Sequence, residues 1–269
     1  MKKLTIFCCS HFHNKYIEKL TNLIPAGTGE ETYPDNWLTD KPKNNISNLN
    51  KNYAELTFHY WVWKNYLDKF NEDDFFGFCQ YRRFWLKSDA EKNIDFLNLN
   101  ENLLSNLPDE FNKYDAILTN PERVNLKYKS VLKYRKLINN IINPKPIFSK
   151  DYQTAGVQFE VYTKTGDLIY KLANNLRNED KKDFIEFLNN ETQINFHNMF
   201  IIKKKIFNNY MEYLFEWLKK SDDEIKKYNS GGLIRLHAFL AERFLPFWFN
   251  KYCKTLNWPW IFCDTSKAK

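Results

Sequence analysis

The chain has 269 residues, of which 43% are apolar and 17% aromatic, enough to build a sizeable hydrophobic core. Seven glycines, with neither a G-x-G-x-x-G motif nor a P-loop motif, argue against a glycine-rich nucleotide-binding loop. Five cysteines without a C-x-x-C pair favour a reduced, cytoplasmic protein over a disulfide framework. The net charge of +7 comes from lysines spread along the chain, and no motif of a nucleic-acid-binding fold accompanies it, so we expect no nucleic-acid partner.

The first predicted element is a buried strand over residues 4–9, a short apolar run bounded by polar residues. Residues 14–24 are predicted to form a helix, and residues 25–51, which are rich in Asn, Pro, Thr and Lys, a polar loop. A second helix is predicted from about residue 52, because apolar side chains recur at spacings of three and four, at Leu56, Tyr60 and Trp63.

The remaining elements continue the alternation of strands and helices. Strands are predicted at 75–81, 114–119 and 197–203, and helices at 130–142, 206–219 and 233–249. Strands separated by helices favour a mostly parallel sheet flanked by helices, and therefore an α/β fold. We expect a single domain over residues 1–250, followed by an aromatic and basic tail, 251–269, that packs on the domain or lies at a membrane surface.

Two histidines follow the first strand. His11 and His13 are separated by one residue, which places both imidazoles on the same side of an extended chain. Because open α/β sheets bind ligands at the carboxyl ends of their strands, His11 is a candidate site residue. A metal site would need a third ligand, and no recognisable spacing supplies one, so the sequence leaves any metal ligands unknown.

The run 77-GFCQYRRFW-85 reads as a buried strand that ends in two adjacent arginines, Arg82 and Arg83. A buried guanidinium group without a partner costs several kcal/mol, so these side chains need an anion from the protein or from a ligand. Glu55 and Glu242 lie in aromatic helical segments and are the candidate protein carboxylates. Each is either an ion-pair partner of the arginines or a group that acts on the substrate, as a general base or as a ligand of a substrate hydroxyl.

Four segments of the chain are distinctive: 44-NNISNLNKNYAELTFHYWVWKN-65, the GFCQYRRFW run, 198-NMFIIKKKIFNNYMEYLF-215 and 235-RLHAFLAERFL-245. Taken in this order, they resemble a bacterial family known as domain of unknown function 4422. The chain departs from the family pattern at Asn44, where Asp is usual, at Gln80, where His is usual, and at Ala238, where Gly is usual. Gln80 can exchange hydrogen bonds, but it cannot transfer a proton.

The resemblance implies a glycosyltransferase with a GT-A-like fold, of the kind found in capsule and O-antigen gene clusters; some members are associated with galactofuranose transfer. The implied reaction moves a sugar from a nucleotide diphosphate donor, a UDP-sugar such as UDP-galactofuranose, to a growing surface polysaccharide. The partners would be this donor and a lipid-linked or oligosaccharide acceptor, met in the cytoplasm at the inner face of the membrane. Two alternatives stay open: a sugar-phosphate transferase, and a non-catalytic carbohydrate-binding or scaffold protein of the same pathway.

Sugar transfer leaves negative charge on the departing diphosphate, which GT-A enzymes usually neutralise with Mg²⁺ or Mn²⁺ held by an Asp-x-Asp motif. This sequence contains no Asp-x-Asp. We therefore expect Arg82 or Arg83 to bind the diphosphate in place of a metal or beside one, because guanidinium groups bind phosphate oxygens bidentately. Further donor-site candidates are Ser10, Asn45, Ser47, Gln80 and Tyr81.

The acceptor hydroxyl needs a base if the transfer inverts the anomeric centre, and a retaining mechanism stays open. The candidates for this base are Glu55, Glu242 and His11. The candidates for binding the acceptor or a sugar are Trp61, Trp63, His197, Asn198 and Arg235.

Overall fold

A computed structural model describes residues 2–229 and 235–267. The chain folds as two compact units, each built from segments that are distant in sequence. The first unit contains Met1–Asn120, His197–Glu212 and Trp248–Lys269, and the second contains Pro121–Phe196 and Tyr213–Phe247. No helix in the described ranges is long and apolar enough to cross a membrane.

Strands and helices alternate along much of the chain. The strands are β1 (Leu4–Ser10), β2 (Ile24–Gly27), β3 (Leu38–Thr39), β4 (Phe75–Gln80), β5 (Arg83–Trp85), β6 (Ala116–Thr119), β7 (Glu122–Arg123), β8 (Gln193–Ile194), β9 (Phe200–Lys203), β10 (Thr255–Trp258) and β11 (Trp260–Phe262). The helices are α1 (Asn50–Tyr53), α2 (Leu56–Asn65), α3 (Leu99–Asn102), α4 (Tyr128–Tyr134), α5 (Leu137–Ile142), α6 (Lys145–Phe148), α7 (Ala155–Thr163), α8 (Leu168–Ala173), α9 (Asn178–Asn190), α10 (Lys204–Asn229) and α11 (Leu236–Tyr252).

The first unit is organised around one sheet with the strand order β10-β6-β9-β4-β1-β2-β3. Strand β1 pairs in parallel with β2 and β4, β2 with β3, and β6 with β10. Strand β9 is inserted antiparallel between β4 and β6. The sheet is therefore mostly parallel and flanked by helices, which confirms the predicted α/β fold class.

The central strands read as continuous apolar runs because both faces of a covered parallel sheet are buried. In β4, the residues from Phe75 to Cys79 are all buried, and β1 is buried from Ile6 to Ser10. Gly77 is required by the close approach of β9, because a Cβ atom there would lie 2.5 Å from the Phe200 carbonyl oxygen.

All five cysteines are free thiols.

The helix predicted over residues 14–24 is wrong. Only a single 3-10 turn forms, at Ile17–Lys19, and β2 begins at Ile24 in register with Phe7. Ile17 and Leu20 are buried in the core beneath the sheet, so their three-residue spacing marks a loop that packs on the sheet. The loop predicted over 25–51 likewise contains most of β2 and all of β3.

The helix predicted over residues 130–142 is interrupted, because Arg135 and Lys136 have non-helical backbone conformations. The Glu160 carboxylate accounts for the break: it accepts from Lys136 N–H at 2.8 Å and from Arg135 Nε at 3.3 Å.

Helix α10 is longer than predicted, and the predicted start of the last helix, at 233, lies outside the described residues. The tail supplies β10 and β11, although the predicted boundary at residue 250 stays a prediction.

The second unit is mainly helical. Phe184 of α9 packs edge-on against Trp217 of α10, with ring centroids 5.6 Å apart, and lies against Phe247 of α11 at 5.0 Å. The Tyr213 hydroxyl donates to Asp180 Oδ2 at 2.5 Å, which satisfies a fully buried carboxylate. Strands β7 and β8 form a separate antiparallel pair.

A buried histidine in α2, His59, is expected to make the stability of the first unit depend on pH. His59 is fully buried against Phe78, with ring centroids 3.9 Å apart, and neither ring nitrogen has a hydrogen-bond partner among the described residues. Burial lowers the pKa of His59 to about 3. Between pH 6.5 and 3 the unfolded chain therefore binds a proton that the folded protein does not bind, and the free energy of unfolding falls as the pH falls.

We expect His59 to destabilise the protein by about 2 kcal/mol on going from pH 7 to pH 5, at about 1.4 kcal/mol per unit below pH 6.5. His59→Leu should remove this contribution while keeping a side chain of similar size. Urea unfolding of both proteins at the two pH values measures the difference. An equal loss of stability in wild type and variant would show that His59 does not carry this pH dependence.

Candidate functional site

The carboxyl ends of β1 and β4 meet at one edge of the sheet, where polar residues follow buried strands. Because β9 runs antiparallel to β4, the residues that precede β9 lie at this same edge. Gln80 Nε2 at the end of β4 donates to the His197 carbonyl at 2.7 Å. The predicted donor-site segment and the predicted acceptor residues are thereby adjacent, although 117 positions separate them in sequence.

Glu55, the residue that precedes α2, also lies at this edge. Asn198 Nδ2 donates to Glu55 Oε1 at 2.8 Å, and Asn198 is buried while Glu55 is partly exposed. An amide that donates to one carboxylate oxygen fixes the carboxylate in place. Glu55 is thus a positioned carboxylate with access to solvent, as a base for an acceptor hydroxyl would have to be.

Strained backbone flanks the contact between Glu55 and Asn198. Ala54 has φ 47°, and the consecutive residues His197 and Asn198 have φ 81° and 51°. Residues with a Cβ atom, apart from Asn, Asp and His, rarely occupy this region, so Ala54 is the clearest outlier; such strain persists only where the surrounding structure enforces it, commonly at functional sites. The strain at Ala54 therefore marks this edge as a candidate functional site.

The two arginines have different surroundings. Arg83 Nη1 donates to Gln80 Oε1 at 3.0 Å, and its guanidinium group lies over the Phe262 ring. The Arg82 guanidinium group stacks on Tyr81, 4.8 Å from the ring centroid. Within residues 2–229 and 235–267, no acceptor takes a hydrogen bond from the Arg82 side chain, whose Nε atom is buried. Arg82 is therefore the arginine that remains available to a ligand anion.

The segment after β10 holds residues 81–83, which we call the arginine loop, in place. Strand β11 pairs with β5 so that Phe262 lies opposite Arg83, and Cys263 N–H donates to the Arg82 carbonyl at 2.9 Å. The Thr265 hydroxyl donates to the Tyr81 carbonyl. This support was not predicted from the sequence, because the aromatic residues of the segment were the only signal and they were assigned to a tail.

The first strand contributes Ser10 and His11. Ser10 is buried, and its hydroxyl donates to the Phe12 carbonyl at 2.6 Å. His11 is exposed and lies edge-on to Tyr81, with ring centroids 5.4 Å apart, so it borders the arginine loop. His13 instead hydrogen-bonds Glu18 at 2.8 Å, so the two histidines do not converge.

Asp40 is a buried carboxylate that sequence analysis missed, because it follows β3 in the segment assigned to a loop. Both carboxylate oxygens accept from the Gly29 N–H, each at 3.2 Å. Burial raises the pKa of Asp40, while hydrogen bonds from the Thr57 side chain and from Gly29 oppose the rise. Burial also raises the pKa of the Cys9 thiol, and Cys8, Glu55 and Asp40 raise it further, so this thiol stays protonated.

Asn45 and Ser47 bind one another. Asn45 Oδ1 accepts from the Ser47 hydroxyl at 2.9 Å and from the Ser47 N–H at 3.2 Å, and Asn45 Nδ2 donates to the Lys43 carbonyl at 2.9 Å. These contacts form a local turn ahead of α1. The structure therefore gives both residues a turn-forming role, and their predicted donor contact stays a prediction.

The hydrogen bonds and ion pairs of the remaining candidates are with residues outside the arginine loop. Trp61 is buried and donates to the Pro42 carbonyl at 2.8 Å, and Trp63 donates to Asn208 Oδ1 at 2.8 Å. Glu242 and Arg235 belong to the second unit, where Glu242 pairs with Arg243 at 2.8 Å and Arg235 is exposed with φ 70°. Among the described residues, no group of three or more His, Cys, Asp and Glu side chains is arranged to hold a metal.

A cavity of about 280 Å³ lies in the second unit, lined among others by Arg135, Tyr152 and Asn189. It includes none of the residues predicted to bind donor or acceptor. The sheet edge of the first unit, with Arg82 and Glu55, is therefore the candidate site on chemical grounds.

Comparison with known proteins agrees with this fold. The chain is similar in structure to the apo form of WbbM, a bifunctional glycosyltransferase, with a TM-score of 0.63 and 18% sequence identity over 97% of this chain and 45% of that chain. The likeness supports a GT-A-like fold, and the chain spans less than half the length of WbbM. No curated protein matches the chain in sequence. The model of a family described as a domain of unknown function, DUF4422, matches residues 5–254, and the chain belongs to this family.

Proposed function

We propose that this chain is a glycosyltransferase that moves a sugar from a nucleotide diphosphate donor to a growing surface polysaccharide. UDP-sugars, including UDP-galactofuranose, are the donors to test first. The observation that carries the proposal is the Arg82 guanidinium group, which lies at the ligand-binding edge of an α/β sheet and lacks an acceptor among the described residues. WbbM, which shares the fold, is named a glycosyltransferase, and this supports the same class of reaction.

In the proposed reaction, the acceptor hydroxyl oxygen attacks the anomeric carbon, and the bond from that carbon to the diphosphate oxygen breaks. The electron pair of this bond leaves with the diphosphate, where Arg82 binds the developing charge. Guanidinium groups are suited to this role because they stay protonated and donate two hydrogen bonds in a plane. Arg83, which is bound to Gln80, shapes the same loop.

Glu55 would take the proton of the acceptor hydroxyl. Its carboxylate is held by Asn198 at 2.8 Å and borders the edge that carries the arginine loop. A carboxylate in a fixed position can act as a general base, and the transfer that we propose is the inverting one, which needs such a base. His11, exposed beside Tyr81, would contact the donor or the acceptor.

A divalent metal is the usual partner of the diphosphate in this fold class. No Asp-x-Asp motif occurs in the sequence, and among the described residues no three His, Cys, Asp or Glu side chains are arranged to hold a metal. The proposed mechanism therefore assigns charge stabilisation to Arg82. The setting that we propose is the cytoplasmic face of a membrane that carries a lipid-linked acceptor.

A screen of UDP-, GDP- and CMP-sugars by thermal shift tests the proposal, followed by titration of the nucleotide that stabilises the protein. Arg82→Ala should weaken binding of that nucleotide by roughly tenfold to a hundredfold, because a charge-assisted hydrogen bond contributes about 1.5–3 kcal/mol. Arg82→Lys should recover part of the loss, since it restores the charge without the planar fork.

Arg123→Ala is the matched control, because Arg123 is an exposed arginine that forms an ion pair with Asp151 on the second unit. It should bind the nucleotide like wild type. Equal affinity of wild type and Arg82→Ala would refute the role of Arg82. Stabilisation by none of the nucleotides would instead favour a carbohydrate-binding protein without transferase activity.

A further inference from the structure

Three consecutive short helices of the second unit, α4, α5 and α6, expose large apolar side chains to solvent. The exposed fractions reach 75% for Leu137, 67% for Ile141, 75% for Ile142 and 77% for Phe148. We call these side chains, together with Leu132 and Ile138, the Leu137 patch; both are also exposed, at 45% and 55%. Exposed apolar residues that are clustered, rather than scattered singly, usually mark an interaction surface.

Helix α5 has its polar side turned inward. Asn139 Nδ2 donates to Glu160 Oε1 at 2.8 Å, and Asn140 Oδ1 accepts from Arg135 Nη1 at 3.2 Å. Arg135 and Glu160 form a buried ion pair, which anchors the two asparagines. The opposite side of α5 therefore presents its apolar residues outward, which is the reverse of the usual orientation of a helix on a soluble protein.

The positive charge of the segment that carries α4, α5 and α6 indicates an anionic partner. Residues 124–150 contain seven Lys or Arg residues and no Asp or Glu. Arg135 and Lys136 are paired with carboxylates, of Glu160 and Asp167. The other five side chains are exposed and have no ion-pair partner among the described residues; they are Lys127, Lys129, Lys133, Lys145 and Lys150.

We propose that the Leu137 patch and its five lysines dock the second unit on a membrane surface that contains anionic lipids. Apolar side chains enter the boundary between headgroups and acyl chains, and lysines around them bind the lipid phosphates. A second copy of the chain is the less suitable occupant, because a two-fold contact would bring the lysines of both copies together. The surface differs from the tail that the sequence suggested, and the proposal does not depend on sugar transfer.

Flotation with lipid vesicles tests the docking surface. Wild type should bind vesicles of phosphatidylcholine with about 30 mol% phosphatidylglycerol, and it should bind pure phosphatidylcholine at least about tenfold more weakly, because each lysine contributes to attraction by anionic lipid. Ile141→Gln/Ile142→Gln should bind the anionic vesicles at least about tenfold more weakly than wild type, since it removes two inserting side chains. Both changed residues are exposed, so the fold should be retained, which circular dichroism checks.

Matched controls distinguish binding through this surface from non-specific adsorption to the vesicles. Leu97→Gln removes an apolar side chain that is 82% exposed on the first unit, and Lys181→Gln/Lys182→Gln removes one partly exposed and one exposed charge from α9. Both controls should bind vesicles like wild type, whereas Lys129→Gln/Lys133→Gln should bind more weakly. Wild type that stays unbound to anionic vesicles would overturn the proposal. So would a wild-type dimer in sedimentation equilibrium that Ile141→Gln/Ile142→Gln dissociates while vesicle binding is unchanged.

Discussion

Replacement of Glu55 by glutamine is expected to lower turnover by roughly a hundredfold to ten-thousandfold, the usual contribution of a general base. Glutamine keeps an oxygen that accepts from Asn198 Nδ2, so the side chain stays in place, but it cannot take up a proton. Donor affinity should be unchanged, since the proposal assigns Glu55 to the acceptor hydroxyl. Initial rates of nucleotide release and donor titration measure the two effects separately.

Glu110→Gln is the control for this experiment, because Glu110 is an exposed glutamate of the first unit. It should release nucleotide at the wild-type rate. Wild-type turnover in Glu55→Gln would show that the carboxylate serves only to hold Asn198. That result would leave the binding role of Arg82 intact, because the role of Arg82 is judged by donor affinity.

The second large effect is expected on stability, at the centre of the second unit. Arg243 is fully buried and donates to Glu242 Oε2 at 2.8 Å, to Gln158 Oε1 at 2.7 Å and to the Phe239 carbonyl at 3.0 Å. Arg243→Leu would leave the carboxylate and the amide oxygen without this donor. Removing one partner of a buried ion pair costs about 3–5 kcal/mol, and we expect a loss of that size in the free energy of unfolding.

Arg123→Leu provides the comparison, since it breaks an exposed ion pair of the same unit and should cost about 1 kcal/mol or less. Urea unfolding measures both variants. Similar losses in the two would mean that Glu242 is satisfied without Arg243. A large loss only in Arg243→Leu would support a structural role for Glu242, the carboxylate that the sequence also offered as a base.

The fold was largely predictable from the sequence because the buried strands carry a local signal. The apolar runs at 4–9 and 75–81 could hardly be anything other than covered strands, and they lie at the centre of the sheet. The errors occur where a long-range contact decides the backbone. Glu160 breaks the helix at Arg135, and pairing with β1 makes residues 24–27 a strand, although nothing nearby in sequence indicates either contact.

The sequence nominated site residues one by one, and their roles stay predictions, but it did not indicate which of them lie together. Glu55, Arg82 and Asn198 were each identified from their own segment, yet the hydrogen bond between Glu55 and Asn198 spans 143 positions of sequence. Asp40 was missed because one carboxylate in a polar segment gives no sign of burial. Conversely, Trp61 was assigned to sugar binding for its type alone, and it packs in the core.

The support of the arginine loop by residues 260–265 has a consequence for biosynthesis. Tyr81 and Thr265 are 184 positions apart, so a ribosome that adds about 5–20 residues per second completes this contact roughly 10–40 s after Tyr81 is made. Throughout that interval, β5 on the nascent chain lacks its partner β11 and presents an open strand edge. The proposed donor site is therefore among the last parts of the first unit to mature, and until then the open edge of β5 can pair with the strand of another chain.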